Sequence, residues 1–321
     1  MVTGLTPVTP LTLPEFPQWQ SFRLAWSRLI HPCPVLVVVL DDRLLFCWGS
    51  GQHWRFRSAL LPDGACRDGV PLQREALGDF IADLIFDCDL PGAELVLCLP
   101  LRAAAWCVVD GYGSDRGPGL LPPSLQSLDL PFDLAESYIT ASPVQDALSV
   151  VGVPRQLIQG WTEVAEFADL PLRRVDWSLT AAQRALHQFT QSWHGDLAWL
   201  VVEQKSIRLL LIRQQVPEVD HALAGENPVS CRSEIRTCVA AWQARLASPS
   251  TLGWWLSVPT EQLDDWLPLV DAAAGESCLN QPLPDWSESS DHIDGADQDE
   301  PADVLSPLQH LALLALQEEE R

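Results

Sequence analysis

The stretch DALSVVGVPRQLIQGWTEVAEFADLPLRRVDWSLTAAQRAL, residues 146–186, decides the fold class. It opens with a short apolar, β-branched run at 147–153, which predicts a buried strand. A proline then suits the first turn of a helix, and apolar residues at helical spacing give 155–168 one apolar face. A Leu-Pro pair ends that helix, 172–176 predicts a second strand, and Ser178 is placed to cap a second helix. Strand, helix, strand and helix in this order predict an α/β layer with a parallel strand pair.

Two apolar hairpins divide the chain into halves. The first is predicted at 35–48 and the second at 197–212, each with a polar turn between two apolar runs. A helix and a further buried strand follow each hairpin, at 72–99 in the first half and at 230–258 in the second. We therefore expect two halves of similar construction.

The acidic composition of the chain argues against nucleic acid and anionic lipid as direct partners. The chain has 321 residues, for which the length prior gives about two domains, and its 47% hydrophobic content is that of a globular protein. Its 43 acidic residues against 20 basic ones give a net charge of −23, and Lys205 is its single lysine. Binding to nucleic acid or to anionic lipid needs clustered basic residues, so neither is expected as a direct partner.

Cysteine spacing and motifs exclude several kinds of site. The nine cysteines contain no CxxC pair, and no cysteine pair is accompanied by a histidine pair, which argues against a metal centre and favours reduced thiols. No GxSxG, HExxH or P-loop is present, so no catalytic residue is assigned. The apolar runs are shorter than a membrane span, and no signal peptide is visible. Membrane association is expected only through a partner.

Two terminal or linking segments differ from the globular body. Residues 1–33 predict a flexible, proline-rich lead with a short amphipathic helix, which docks either on the body or on a partner. Residues 285–303 carry eight carboxylates with no Lys or Arg, which predicts an acidic disordered linker.

Five passages carry a resemblance to a known family. LDLPFDLAESYI at 128–139 resembles the family's YIPFPLEE passage, and 146–186 resembles the strand, helix, turn and helix that follow it. Residues 233–236 resemble its EI.RSL helix, 256–286 its glycine-rich ending, and 308–316 its final helix. In these segments and their order, the chain resembles the PilM-type proteins of type IV pilus assembly, a branch of the actin-like ATPase superfamily.

The resemblance implies an α/β, actin-like fold with a PilM/FtsA-type inserted subdomain and a reduced second half. It implies the following division: a lead at 1–33, a first subdomain at 34–100 plus 172–195, an inserted subdomain at 101–171, a second domain at 196–284 plus 304–317, and the linker at 285–303.

The nucleotide site implied by the family is degenerate in this chain. Actin-like proteins hold phosphates with two glycine-bearing hairpins, because backbone N–H groups must approach the ligand closely. The first hairpin here turns at Asp41 and Asp42 without glycine or lysine, and the second reaches Glu203 without glycine. Ser257 begins the passage where the family has a glycine pair. We therefore expect a pseudo-ATPase with no ATP or magnesium cofactor.

The function implied by the resemblance is that of a non-enzymatic scaffold. Such a protein is cytoplasmic, lies at the inner membrane through its partner, binds the N-terminal peptide of a PilN-like membrane protein and connects it to pilus motor ATPases. The resemblance implies that the peptide groove lies between the first subdomain and the inserted one. The expected peptide-binding residues all belong to the inserted subdomain: Leu130, Pro131, Phe132, Arg155 and Trp161.

Two alternatives remain open. One is a scaffold of type II secretion similar to GspL, although GspL-type chains continue into a membrane span and this chain ends at residue 321 without one. The other is an active actin-like ATPase.

Overall fold

Three larger sheets and six α-helices make up the described part of the protein. The computed structural model describes residues 32–40, 42–50, 53–109, 131, 133–144, 147–203, 206–246, 250–284 and 305–320. The strands are β1 (Cys33–Val39), β2 (Arg43–Ser50), β3 (His53–Leu60), β4 (Cys66–Arg67), β5 (Val70–Pro71), β6 (Ala93–Leu99), β7 (Ala105–Val109), β8 (Ser137–Val144), β9 (Ala147–Pro154), β10 (Leu172–Trp177), β11 (Asp196–Glu203), β12 (Ser206–Arg213), β13 (Val216–Leu223), β14 (Leu252–Ser257) and β15 (Ser277–Cys278). The α-helices are α1 (Arg74–Asp87), α2 (Arg155–Phe167), α3 (Ser178–Phe189), α4 (Pro228–Ala244), α5 (Leu263–Trp266) and α6 (Pro307–Glu319).

The two halves share one sheet topology. The first sheet has the order β10-β6-β1-β2-β3, and the second has the corresponding order β15-β14-β11-β12-β13. In each sheet the first three strands form an antiparallel meander. The fourth strand pairs in parallel with the first strand, and the fifth pairs in parallel with the fourth. The prediction of two similarly built halves is confirmed.

The central strands are buried on both faces, which explains their continuous apolar sequence. Along β1, Val35 and Val37 face a core with α1 and α2, whereas Leu36 faces a central core with α3 and α6. Along β11, Trp199 reaches the same central core, and Leu200 faces the opposite way, toward α4. Both sheets therefore share the central core, with α3 and α6 between them.

A third, inserted sheet with the order β7-β9-β8 follows β6 and precedes α2. It is antiparallel throughout, and its own apolar cluster is small, with Leu148 and Val150 as its buried members. The predicted division at residues 101–171 stays a prediction. Helix α2, which that division assigns to the inserted subdomain, lies in the core of the first half, where Gly78 of α1 lets the two helices approach closely.

The stretch at 146–186 has the predicted order of elements. The strand, helix, strand and helix are β9, α2, β10 and α3, and β10 pairs in parallel with β6. The prediction that Ser178 caps α3, the second helix of this stretch, is wrong. Ser178 is the first helical residue, and its buried hydroxyl has no hydrogen-bond partner; Asp176 instead accepts hydrogen bonds from the Trp177 N–H and the Thr180 hydroxyl.

The edge strands β8 and β13 were not predicted from the sequence, and neither was the two-residue β15. β8 contains Pro143 and β13 contains Pro217, and proline within an apolar run argues against a central strand. Each strand lies at the edge of its sheet, where a missing backbone donor is tolerated. The predicted lead and acidic linker lie outside the described residues, apart from residues 32 and 33. In the part of the chain that is described, no helix combines the length and apolar character needed to cross a bilayer.

Candidate functional site

A groove with a volume of about 450 Å³ lies between the inserted sheet and the first half. The inserted sheet supplies one wall through Tyr138 and Thr140 on β8 and Val151 and Val153 on β9. The other wall consists of residues from β6, α2, β10 and α3: Leu99, Ile158, Val175, Asp176, Trp177, Thr180 and Arg184. Most of these side chains are apolar, with a charged group at Asp176 and Arg184.

Strand alternation explains the first wall. Successive side chains of a strand point to opposite faces of its sheet. On β8, Tyr138 and Thr140 therefore face the groove, while Ile139 packs against the small cluster of the inserted sheet. On β9, Val151 faces the groove and Val150 belongs to that cluster. One face of the β8–β9 pair is thus directed toward the first half.

The charged end of the groove is an ion-pair network that joins β10, α3 and α6. The Asp176 carboxylate lies 2.5 Å from the Arg174 guanidinium and 2.6 Å from the Arg184 guanidinium. Glu319 of α6 pairs with the same two arginines, at 2.5 Å and 2.7 Å. The Asp176 side chain is only 9% exposed, and the Trp177 N–H also donates to it, at 2.8 Å. This network fixes one end of the groove relative to the last helix.

The residues predicted to bind a peptide have different positions. Leu130 and Phe132 lie outside the described residues, and Pro131 is exposed. Arg155 is exposed at the start of α2, where its guanidinium lies 5.3 Å from the centre of the Tyr138 ring, and its Nε donates to the Ser137 carbonyl. Its role in peptide binding stays a prediction, but its place beside a groove residue is compatible with that role.

The prediction that Trp161 binds the peptide is wrong. It is 1% exposed in the core of the first half, and its Nε1–H donates to the Gly69 carbonyl at 2.8 Å. A side chain so deeply buried does not contact a ligand on the surface. The sequence reasoning missed the groove residues Tyr138 and Thr140, although the alternation in the passage SYITAS was a signal for a strand with two distinct faces.

The positions predicted for a degenerate nucleotide site contact other side chains of the protein. Asp41 lies outside the described residues, and Asp42 is exposed and pairs with its neighbour Arg43 at 3.2 Å. Glu203 accepts a hydrogen bond from the Ser306 hydroxyl at 2.6 Å, next to the first turn of α6. Ser257 is completely buried and accepts a hydrogen bond from Trp199 Nε1–H.

The strand that ends at Ser257 is held at its edge by an amide side chain. Asn280 accepts a hydrogen bond from the Leu256 N–H and donates one to the Leu256 carbonyl, both at 2.8 Å. This pair of bonds continues the parallel pairing of β14 beyond the short β15. Among the residues that are described, no group of three His, Cys, Asp or Glu side chains is placed to hold a metal ion.

Burial raises the pKa of the Glu203 carboxyl above its ordinary value, and the hydrogen bond from Ser306 opposes that rise. The carboxyl therefore binds a proton more tightly in the folded protein than in the unfolded chain. Its favourable contribution to stability is present below the ordinary pKa and is lost as pH rises through the raised folded value.

We expect Glu203→Gln to remove this decrease in stability at higher pH, because the amide stays neutral and its oxygen still accepts a hydrogen bond from Ser306. In chemical denaturation from about pH 4, near the ordinary pKa of a glutamate, up to about pH 7, the stability of the variant relative to wild type should increase with pH. Thr237→Ser, which changes no ionisable group, should follow the wild-type profile. Parallel profiles for Glu203→Gln and wild type would contradict this account.

Comparisons with known proteins identify the fold. No protein-family model matches the sequence, and no curated protein matches it significantly. Among solved structures, a chain of the "PilM-PilN type IV pilus biogenesis complex" is similar over 88% of this chain and 98% of its own length, with a TM-score of 0.60 and 15% identity. Together with the repeated sheet order, this similarity confirms the α/β, actin-like, PilM-like fold.

Two further structures have lower scores. A protein from Bacteroides thetaiotaomicron with an actin-like ATPase fold covers 79% of this chain and 92% of its own, with a TM-score of 0.49 and 6% identity. The cytoplasmic domain of EpsL, an inner membrane component of the type II secretion system of Vibrio cholerae, covers 89% and 94%, with a TM-score of 0.43 and 13% identity. At these identities the comparisons concern the fold and leave the function open.

Proposed function

We propose that this protein is a non-enzymatic, cytoplasmic scaffold of type IV pilus assembly. It binds the cytoplasmic N-terminal peptide of a PilN-like inner-membrane protein in the groove between the inserted sheet and the first half. The observation that carries the proposal is this groove, with its largely apolar walls, in a fold similar to that of a chain from a PilM–PilN complex.

The form of the groove supports a peptide as its ligand. One wall is a pair of antiparallel strands, β8 and β9, whose exposed face offers Tyr138 and Thr140, and the opposite wall offers Ile158 and Val175. Apolar walls with a few convergent polar groups are typical of sites that bind small or extended ligands. A peptide there buries apolar side chains against the walls and places its backbone near polar groups.

The proposal that the protein is not an enzyme rests on the hairpin turns. The described turn residue Asp42 pairs with Arg43, and Glu203 and Ser257 are hydrogen-bonded to Ser306 and Trp199. Neither hairpin turn has a glycine that would let backbone N–H groups approach phosphates closely.

The proposed cellular arrangement follows from the proposed partner. A peptide attached to a membrane protein would bring this protein to the inner membrane without a membrane span of its own. Contact with pilus motor ATPases is part of the same proposal and is supported by the resemblance to PilM-type proteins alone.

Two titrations of the purified protein test the proposal. A synthetic peptide with the cytoplasmic N-terminal sequence of a PilN-like protein encoded in the same genome is expected to bind with a dissociation constant on the order of 10 µM by calorimetry, or roughly −7 kcal/mol. A scrambled peptide is the control. Absence of binding at about 1 mM, where the free energy of binding is only about −4 kcal/mol, would overturn the peptide-binding proposal.

Magnesium with ATP is titrated in parallel by thermal shift. A ligand present at about 100 times its dissociation constant stabilises a protein by about 2.7 kcal/mol. We expect no shift at millimolar Mg-ATP. A clear stabilisation would contradict the proposed loss of nucleotide binding, even if the peptide binds.

A further inference from the structure

The inserted sheet contacts the second half through a polar junction. Trp106 on β7 donates its Nε1–H to Asp220 on β13 at 2.6 Å. Arg208 on β12 pairs with the same carboxylate through two bonds, of 3.0 Å and 2.8 Å. Trp106 is 8% exposed, and the Asp220 side chain is 13% exposed, so the junction is largely shielded from water. A charge-assisted hydrogen bond in such surroundings is stronger than one between neutral groups.

The same tryptophan contacts a residue that lines the groove. The Trp106 and Trp177 rings meet edge to face, with centroids 6.0 Å apart and an angle of 83° between their planes. Trp177 lines the groove, and its Nε1–H donates to the Leu101 carbonyl, on the chain that leads into β7. A continuous series of contacts thus leads from Asp220, through Trp106, to the groove.

The inserted sheet has a small core of its own, with Leu148 and Val150 as its buried members among the described residues. Its other face packs on the central core through Trp106, with Val151 and Val153 beside it. These apolar contacts are not directional, so a short polar contact at the same tryptophan can set the angle at which the sheet packs. The junction at Asp220 supplies such a contact, and the groove wall formed by β8 and β9 belongs to the same sheet.

We propose that Asp220, in the second half, is a positioning residue for the groove between the inserted sheet and the first half. Through Trp106 it fixes the inserted sheet, and with it the distance between the groove walls. This inference rests on the proposed function and deepens it, because it makes peptide affinity depend on a residue that does not line the groove. Preorganisation is the physical basis: a wall that is already fixed need not be ordered when the peptide binds.

The chain offers a matched pair of substitutions to test this role. Trp106→Phe removes the indole N–H that reaches Asp220 and keeps an aromatic ring beside Trp177. Trp242→Phe removes an equivalent bond, because Trp242 Nε1–H donates to Glu218 at 2.6 Å, also on β13, but within the second half. Both tryptophans are nearly buried, at 8% and 3% exposure, so the two substitutions carry similar general costs.

We expect Trp106→Phe to weaken binding of the PilN-type peptide by about 10-fold, because the peptide must then order a groove wall that the wild-type protein already holds in place. Trp242→Phe should bind within about 2-fold of wild type, which is less than 0.5 kcal/mol. Asp220→Asn, which keeps an acceptor for Trp106, should lie between wild type and Trp106→Phe. Equal peptide affinity for Trp106→Phe and Trp242→Phe would overturn the positioning role while leaving peptide binding intact.

Hydrogen exchange separates this inference from the proposed function. In the free protein, backbone amides of β8 and β9 should exchange faster in Trp106→Phe than in wild type or in Trp242→Phe, since the inserted sheet has lost its anchor. If the wild-type protein binds no peptide but this difference is seen, the proposed function fails and the anchoring role stands. If exchange in β8 and β9 is the same in all three proteins, the anchoring role is overturned.

Discussion

Replacing Asp176 with alanine is expected to lower the free energy of unfolding by about 3 kcal/mol, because it removes a buried carboxylate that binds two partly buried arginines and a backbone N–H. The Asp176 carboxylate pairs with the Arg174 and Arg184 guanidinium groups and accepts a hydrogen bond from the Trp177 N–H. Its side chain is 9% exposed. Without it, Glu319 is the carboxylate that both arginines still contact among the described residues, and the Trp177 N–H before α3 loses its acceptor. The result would be a weakened contact between the first half and the last helix.

The measurement is urea denaturation of the variant beside two controls. Asp87→Ala removes a carboxylate that pairs with Arg57 at 3.3 Å but is 56% exposed, and it should cost less than about 1 kcal/mol, as surface pairs do. Asp176→Asn keeps acceptor oxygens and should fall between the two alanine variants. If Asp176→Ala and Asp87→Ala are equally stable, the network is not a structural support of the fold.

Replacing Thr140 with arginine is expected to weaken the proposed peptide binding by about 100-fold, or roughly 2.7 kcal/mol, an effect of the size found for hot-spot residues at the centre of an interface. Thr140 lies on the groove face of β8 and is exposed, so the larger side chain extends into the groove rather than into a core. A charged guanidinium there occupies the space and must be desolvated against apolar walls such as Val151 and Ile158.

Thr237→Arg is the matched control for this substitution. Thr237 is also exposed, on α4 in the second half, and its hydroxyl donates to the Ser233 carbonyl of its own helix. Calorimetric titration with the PilN-type peptide should give wild-type affinity for this control, and both variants should keep wild-type stability. Unchanged affinity in Thr140→Arg would place the peptide elsewhere on the protein.

The sequence pattern predicted the strand and the helix that line part of the groove, because those elements depend on local residue spacing. The short apolar, β-branched run of β9 and the helical spacing of apolar residues on α2 predicted the elements that carry Val151, Val153 and Ile158. The pattern did not predict which face of α2 lies against a core and which lies against the groove. Trp161 illustrates the limit: it stands on the same helix as Ile158, but α1 covers it, and its indole bonds to Gly69.

The sequence by itself determined the class of this protein: two similar α/β halves, each started by an apolar hairpin, with glycine absent from both hairpin turns. These features follow from local periodicity and from residue identity, so no tertiary contact is needed to infer them. Only the tertiary structure decided the groove, the network at Asp176 and the junction at Asp220. Trp106 and Asp220 are 114 positions apart, and Gln188 and Glu318, which are also hydrogen-bonded, are 130 apart. Contacts between residues so far apart depend on which faces of separate elements meet, and the burial of whole faces in shared cores decides that.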